Sequence, residues 1–178
     1  WPPPPAPEPV SRLRSLLRIE PRPNGRAVYR DDIGPRLPVV CHHGDAFAHW
    51  VRGRQAEIRA QWAEIVAAEY DGIRVWPELP SAGSGFWSER SGEDLRTAPQ
   101  RTPQYYPQYE DFLRALQAAG LRLEHSIGGL DGELESRTAR RTHIDRLAEI
   151  HARVGFDALI CLEANEPQGI GVRDPAEV

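Results

Sequence analysis

The chain has 178 residues, a formal net charge of −4, 40% hydrophobic residues and 27% charged residues. This composition is typical of a globular protein, and its interspersed charges give no reason to expect nucleic acid or a membrane surface as a partner. No apolar run approaches the roughly 18 residues that a membrane-spanning helix requires.

The amino-terminal segment is rich in proline. Proline occupies six of the first nine positions, a composition unlike that of a signal peptide, and we expect an extended spacer over residues 1–10. Beyond it, Asn24-Gly25 lies between two short segments, 16–20 and 26–30, and this dipeptide favours a tight hairpin turn. We therefore predict a spacer at 1–10 and one domain over 11–178 that begins with an antiparallel β-hairpin.

One pattern then occurs three times: a helical stretch with apolar residues on one face ends in glycine, and a short apolar strand follows. Helices are predicted over 55–70, 107–119 and 142–154, and strands over 37–41, 73–76, 121–125 and 156–162. We expect Gly72, Gly120 and Gly155 at the helix exits because glycine readily adopts the left-handed backbone conformation there. The resulting β-α-β-α-β-α-β order predicts a parallel sheet.

The connections that leave the carboxyl ends of the predicted strands are long, above all the one between Pro77 and Tyr106. A connection longer than about 15 residues is usually functional or disordered, and parallel α/β folds place their sites at this edge of the sheet. The chemistry-bearing residues at these strand ends are His42, His43, Arg74, Trp76, His125, Asn165 and Glu166. This set suits the binding of a polyhydroxylated substrate and proton transfer on it.

Three of these strand ends carry a resemblance to a known family. The segments Gly72-Ile73-Arg74-Val75, 121–125 with His125, and Leu162-Glu163-Ala164-Asn165-Glu166-Pro167 resemble strands two, three and four of the clan A glycoside hydrolases, closest to glycoside hydrolase family 5. The resemblance covers residues 37–167. It implies a (β/α)8 TIM barrel, of which this chain would hold roughly the first four β/α units after the hairpin.

The same resemblance implies a retaining glycosidase that acts on a β-linked oligo- or polysaccharide. Glu166 would be the general acid/base, Asn165 would hydrogen-bond the sugar 2-hydroxyl, and Arg74 would hold the partner carboxylate ionised. His125 would line a sugar subsite. In the family the nucleophile is a Glu at the end of strand seven, so we expect it beyond residue 178 and expect this chain to be an inactive fragment of a longer enzyme.

Further substrate contacts are expected from one histidine of the His42-His43 pair, from Trp76, and from aromatic rings in the long connections. The aromatic residues assigned to those connections are Trp50, Phe86, Trp87, Tyr105 and Tyr106, whose faces could stack on sugar rings. No cofactor is predicted, because neither Gly83-Ser84-Gly85 nor Gly128-Gly129 opens a helix as a phosphate-binding loop does.

Other interpretations of the same residues remain open. Glu163 is the nearest rival of Glu166 as the acid, and two-residue alternation places them on opposite strand faces unless a bulge intervenes. Arg74 could form a structural ion pair, and His125 could be a buried, hydrogen-bonded histidine. The chain could also be a sugar-binding or structural barrel module without catalysis.

A metal-dependent hydrolase built on His42 and His43, with His49 nearby, is a further alternative. Such a site would need additional histidine and aspartate ligands in a compatible geometry. Adjacent residues at a strand end point to opposite sides of the sheet. We therefore predict no bound metal.

Overall fold

The structure, a computed structural model, describes residues 18–23, 27–32, 34–78, 95–127, 136–155 and 160–164. Its strands are β1 (Arg18–Pro21), β2 (Ala27–Arg30), β3 (Pro35–Arg36), β4 (Val40–His42), β5 (Gly72–Val75), β6 (Arg122–Ile127) and β7 (Ile160–Ala164). Its helices are α1 (Ala46–Val51), α2 (Gln55–Ala67), α3 (Tyr105–Ala118) and α4 (Arg137–Val154).

The first three strands form a small antiparallel meander. β1 pairs with β2, with Ile19 opposite Tyr29, and β2 pairs with β3. The predicted antiparallel pair is confirmed, although its Asn24-Gly25 turn lies outside the described residues. β3 follows Gly34, whose φ of 145° suits glycine. The sequence did not predict β3, because two residues are too short to show a strand pattern.

The remaining four strands form a parallel sheet in the order β4-β5-β6-β7. Neighbours in the sheet are also neighbours in sequence, and at least one helix connects each pair. The predicted parallel sheet is therefore confirmed. A doubly wound sheet would reverse its strand order at a switch point, and no reversal occurs among the described strands. The closed eight-stranded barrel stays a prediction.

The two faces of this sheet differ in character. Leu123 and Ile127 of β6 join the apolar core, which the helices fill from one side with large side chains: Phe47, Trp50, Trp62, Tyr109, Phe112 and Leu147. Because side chains alternate along a strand, Glu124 and Ser126 belong to the opposite face. We call this second side of the sheet the polar face.

The connection after β4 was predicted as a loop, but it contains the short helix α1. Six residues are too few to reveal a helical apolar period in the sequence. α3 also begins earlier than predicted, at Tyr105. The loop placement was therefore wrong for Trp50 and Tyr105, which are core residues, and for Tyr106, which lies partly buried in the first turn of α3.

The glycine prediction holds at two of the three helix exits. Gly120 and Gly155 have φ values of 75° and 66°, in the left-handed region. Gly72 instead lies within β5, and the left-handed residue after α2 is Glu69, with φ of 62°. Gly72 is required for a steric reason, because a Cβ there would lie 2.6 Å from the carbonyl oxygen of Arg122.

A buried ion pair joins the meander to the amino-terminal end of the sheet. Arg122 Nη2 donates to Asp31 Oδ2 at 2.7 Å, and both side chains are almost completely buried. Arg122 begins β6 two residues before Glu124, so it lies on the polar face. The meander thus contacts the polar face at its amino-terminal end.

Candidate functional site

Arg74 of β5 is held on the polar face by two side chains of the neighbouring strand. Its Nε donates to the Ser126 hydroxyl at 2.8 Å and lies 3.2 Å from Glu124 Oε1. The sheet register explains both contacts, since Arg74 is directly opposite Glu124 and Ser126 follows two residues along the same face. Arg74 and Glu124 keep 32% and 22% of their side-chain surface exposed, so this ion pair is accessible from solvent.

His42 and Trp76 lie beside Arg74 at the carboxyl ends of β4 and β5. His42 is directly opposite Arg74 in the sheet register, and its ring centroid lies 5.3 Å from that of Trp76. Trp76 also packs against Ala48 and Leu95. Partial burial and the positive charge of Arg74 lower the pKa of His42, which favours a neutral imidazole.

These side chains form one surface at the carboxyl end of the sheet. The sheet-face site, as we call it, consists of His42, Arg74, Trp76, Glu124 and Ser126. It presents a cation, a carboxylate and two ring systems, while the buried Ser126 hydroxyl holds Arg74 from below. Guanidinium and carboxylate groups hydrogen-bond hydroxyl groups, and aromatic rings stack on apolar faces. The arrangement therefore suits a polyhydroxylated ligand.

The other predicted site residues lie elsewhere. Asn165, Glu166 and Trp87 lie outside the described residues. Glu163 is directly opposite Ser126 in the register of β6 with β7.

His43 has different surroundings from His42. His42 keeps more of its surface exposed than His43 does, and burial lowers the pKa of His43. The backbone N–H of His43 donates to the carbonyl oxygen of Arg74 at 2.9 Å, which extends the pairing of β4 with β5 by one residue. We assign His42, and not His43, to the sheet-face site.

The third histidine of the metal-binding alternative, His49, is held by the residues that directly precede α1 and α2. Its Nε2 lies 3.2 Å from Asp45 Oδ2, and its Nδ1 accepts a hydrogen bond from Arg54 Nη1 at 2.9 Å. Within the described part of the chain, no group of three or more His, Cys, Asp or Glu side chains is arranged to hold a metal ion.

His125 lies on the helix side of β6, away from Arg74. It is fully buried, its Nε2 lies 2.9 Å from Glu78 Oε2, and its Nδ1 lies 2.8 Å from the Tyr109 hydroxyl. A ring with no exposed surface and both nitrogens engaged does not fit the predicted sugar subsite. Its surroundings are instead those of a buried, hydrogen-bonded histidine, the other interpretation given for His125 above.

Glu78, three residues after the end of β5, is the centre of this buried network. Its Oε1 accepts hydrogen bonds from the Tyr105 hydroxyl and, at 2.8 Å, from His143 Nε2, while its Oε2 accepts one from His125. Burial alone would raise the pKa of Glu78, but His125 and His143 together lower it well below its usual range. Glu78 is therefore an ionised carboxylate with one donor from each of α3, α4 and β6.

Tyrosine hydroxyls complete the network. The Tyr106 hydroxyl lies 3.1 Å from His143 Nδ1, and the Tyr109 hydroxyl bridges His125 Nδ1 and His151 Nε2, the latter at 3.0 Å. Because a carboxylate only accepts, both histidines that contact Glu78 donate from Nε2. We call the whole network the Glu78 cluster; it consists of Glu78, Tyr105, Tyr106, Tyr109, His125, His143 and His151.

Glu78, Glu124 and Ser126 were not among the site residues predicted from the sequence. Alternation along β6 identifies Glu124 and Ser126 once Leu123 and Ile127 are recognised as core residues. No local signal identifies Glu78, because its three partners lie 27, 47 and 65 positions away in the sequence.

Comparison with protein-family models finds no match for this chain, and comparison with curated proteins finds none. The resemblance to glycoside hydrolases therefore rests on the strand-end residues themselves. Across the described residues, no helix is long and apolar enough to cross a membrane.

Proposed function

We propose that this chain is the amino-terminal half of a (β/α)8 enzyme that hydrolyses a β-linked oligo- or polysaccharide with retention of configuration. The sequential order of the parallel strands supports the proposal, because successive β/α units of a barrel pair in this order. The core supports it as well, since helices from all three strand-to-strand connections contribute to one apolar cluster.

The position of Arg74 is the observation that carries the proposal. It lies near the carboxyl end of the second parallel strand, where the resemblance requires an arginine, and its Nε is fixed by Ser126 and Glu124. A guanidinium oriented through Nε has the geometry to engage a carboxylate through its terminal nitrogens. Arg74 would in this way keep the catalytic carboxylate ionised and oriented.

Glu166 is the proposed general acid/base. It protonates the departing glycosidic oxygen while a nucleophilic Glu, proposed to lie on a seventh strand beyond residue 178, attacks the anomeric carbon. Glu166 then removes a proton from the water that cleaves the glycosyl-enzyme. Asn165 hydrogen-bonds the sugar 2-hydroxyl, and His42 and Trp76 contact the sugar rings beside it.

The test uses the complete reading frame and a pair of matched substitutions, Glu166→Gln and Glu163→Gln. Each variant replaces a carboxylate by an amide of nearly equal size. We expect Glu166→Gln to lower kcat/KM on unactivated β-linked oligosaccharides by about 10²–10⁴-fold, the usual contribution of a general acid. Aryl glycosides with good leaving groups should be least affected at the glycosylation step, because their departing oxygen needs little protonation.

Three outcomes would contradict parts of this proposal. An equal loss for all leaving groups argues against an acid role for Glu166. A larger loss in Glu163→Gln assigns the acid to Glu163. A complete chain that lacks a Glu at the end of its seventh strand and hydrolyses no β-glycoside contradicts the glycosidase itself, and sugar binding by such a chain would indicate a binding module.

A further inference from the structure

The Tyr109 hydroxyl lies between two histidines and has one proton to share with them. Its oxygen lies 2.8 Å from His125 Nδ1 and 3.0 Å from His151 Nε2. All three side chains are buried. Burial and the negative charge of Glu78 raise the pKa of Tyr109 well above its usual value, so the hydroxyl keeps its proton over the pH range in which histidines change charge.

Two arrangements satisfy both hydrogen bonds of this hydroxyl. In the first, Tyr109 donates to His125 Nδ1 and accepts from His151 Nε2. In the second, it accepts from His125 Nδ1 and donates to His151 Nε2. Any other arrangement gives the hydroxyl either two donors or two acceptors, and so leaves a buried proton or a buried nitrogen without its partner. Because a buried polar group that lacks a hydrogen bond destabilises the fold, the two nitrogens should carry one proton between them.

The carboxylate of Glu78 makes the two arrangements differ in charge. It accepts from His125 Nε2 at 2.9 Å in both of them, so Nε2 always carries a proton. A second proton on Nδ1 turns His125 into an imidazolium that is paired with Glu78, whereas a bare Nδ1 leaves His125 neutral. From the first arrangement to the second, one proton is added at His151 Nδ1, the Nε2 proton of His151 moves to the Tyr109 oxygen, and the tyrosine proton moves to His125 Nδ1.

We infer that the Tyr109 hydroxyl couples the charge of His125 to the position of the proton on His151, so that His125 Nδ1 and His151 Nε2 alternate as donors. The Glu78 cluster is then a proton-sensitive link between β6 and α4. This coupling does not depend on the proposed function. The side chains that face the link from the elements around it are Glu78 after β5, Tyr105 of α3, His143 of α4 and Phe47 of α1.

The test is an NMR measurement of which imidazole nitrogens carry a proton, made on the purified, isotope-labelled chain between about pH 5 and pH 8. Tyr109→Phe removes the hydroxyl and keeps the ring. Tyr106→Phe is the matched control. Tyr106 lies on the same helix and its hydroxyl also contacts a histidine that donates to Glu78, but it pairs with one histidine and is partly exposed.

In the unsubstituted chain and in Tyr106→Phe, we expect the proton occupancies of His125 Nδ1 and His151 Nε2 to sum to one at every pH. In Tyr109→Phe the two histidines should titrate independently, so both nitrogens should be protonated at the acid end of the range. A sum near two or near zero in the unsubstituted chain at any pH would overturn the inference, whether or not Tyr109→Phe folds. Alternation that persists in Tyr109→Phe would overturn it as well, because the coupling would then not run through the hydroxyl.

Discussion

The Arg74–Glu124 ion pair and the Glu78 carboxylate lie on opposite sides of β6 and differ in their access to solvent. The sheet-face site presents an ion pair between Arg74 and Glu124 that is partly exposed. The Glu78 cluster holds a single carboxylate with no exposed surface between two histidines and a tyrosine. The same strand therefore supports an accessible group on one side and an inaccessible one on the other.

This difference in solvent access indicates which region can bind a ligand and which region supports the structure. A partly exposed ion pair contributes about 0–1 kcal/mol to stability, so its groups can change partners when a ligand arrives. A buried charge that loses its partner costs about 3–5 kcal/mol, so the groups around it are held in place. The proposed binding is therefore placed at the sheet-face site, whereas the Glu78 cluster is a group of the buried structure.

The largest effect is expected at the ion pair between Asp31 and Arg122, which lies on the polar face but is buried. Asp31→Asn keeps the size of the side chain and removes the carboxylate charge that Arg122 Nη2 contacts at 2.7 Å. The free energy of unfolding should fall by about 3–5 kcal/mol. Urea denaturation of the purified chain, followed by circular dichroism, measures this loss.

A second substitution separates the loss of the charge partner from the loss of packing. Arg122→Met, added to Asp31→Asn, also removes the buried guanidinium charge and should recover part of the lost stability. A double variant less stable than Asp31→Asn alone would show that Arg122 contributes chiefly through packing.

The next effect concerns the pH dependence of stability at the Glu78 cluster. Because the pKa of Glu78 is lower in the folded chain than its ordinary value of 4.5, its contribution is fully present above pH 4.5 and is lost as the pH falls towards the folded value. Tyr105 of α3, His125 of β6 and His143 of α4 are the groups that face it. Between pH 7 and pH 3, the stability difference between the unsubstituted chain and Glu78→Gln should shrink by about 2 kcal/mol.

Urea denaturation at both pH values measures this difference. Among the described residues, Glu57 and Glu110 also have a lowered pKa; both are present in the two proteins and cancel in the comparison. An equal stability difference at pH 7 and pH 3 would show that Glu78 is not ionised in the folded chain.

Local patterns in the sequence predicted the parallel sheet, the polar strand ends and two of the glycine exits. His125 shows where local patterns fail. A histidine near a strand end was expected to line the site, but alternation along β6 places His125 on the helix side of the sheet. Glu78 shows a second limit. A lone acid in a long connection becomes recognisable only through partners that folding brings from three other elements.

The smallest effect, and the one that decides the comparison, is expected at Glu124. Glu124→Gln is the same kind of substitution as Glu78→Gln and alters a group on the other face of β6. Because the Arg74–Glu124 pair is partly exposed and Ser126 still accepts from Arg74 Nε, the free energy of unfolding should change by less than about 1 kcal/mol. The measurement is urea denaturation of Glu124→Gln and Asp31→Asn under the same conditions. A loss as large as that of Asp31→Asn would make Arg74 a structural ion-pair residue, and the polar face would no longer be supported as the binding surface.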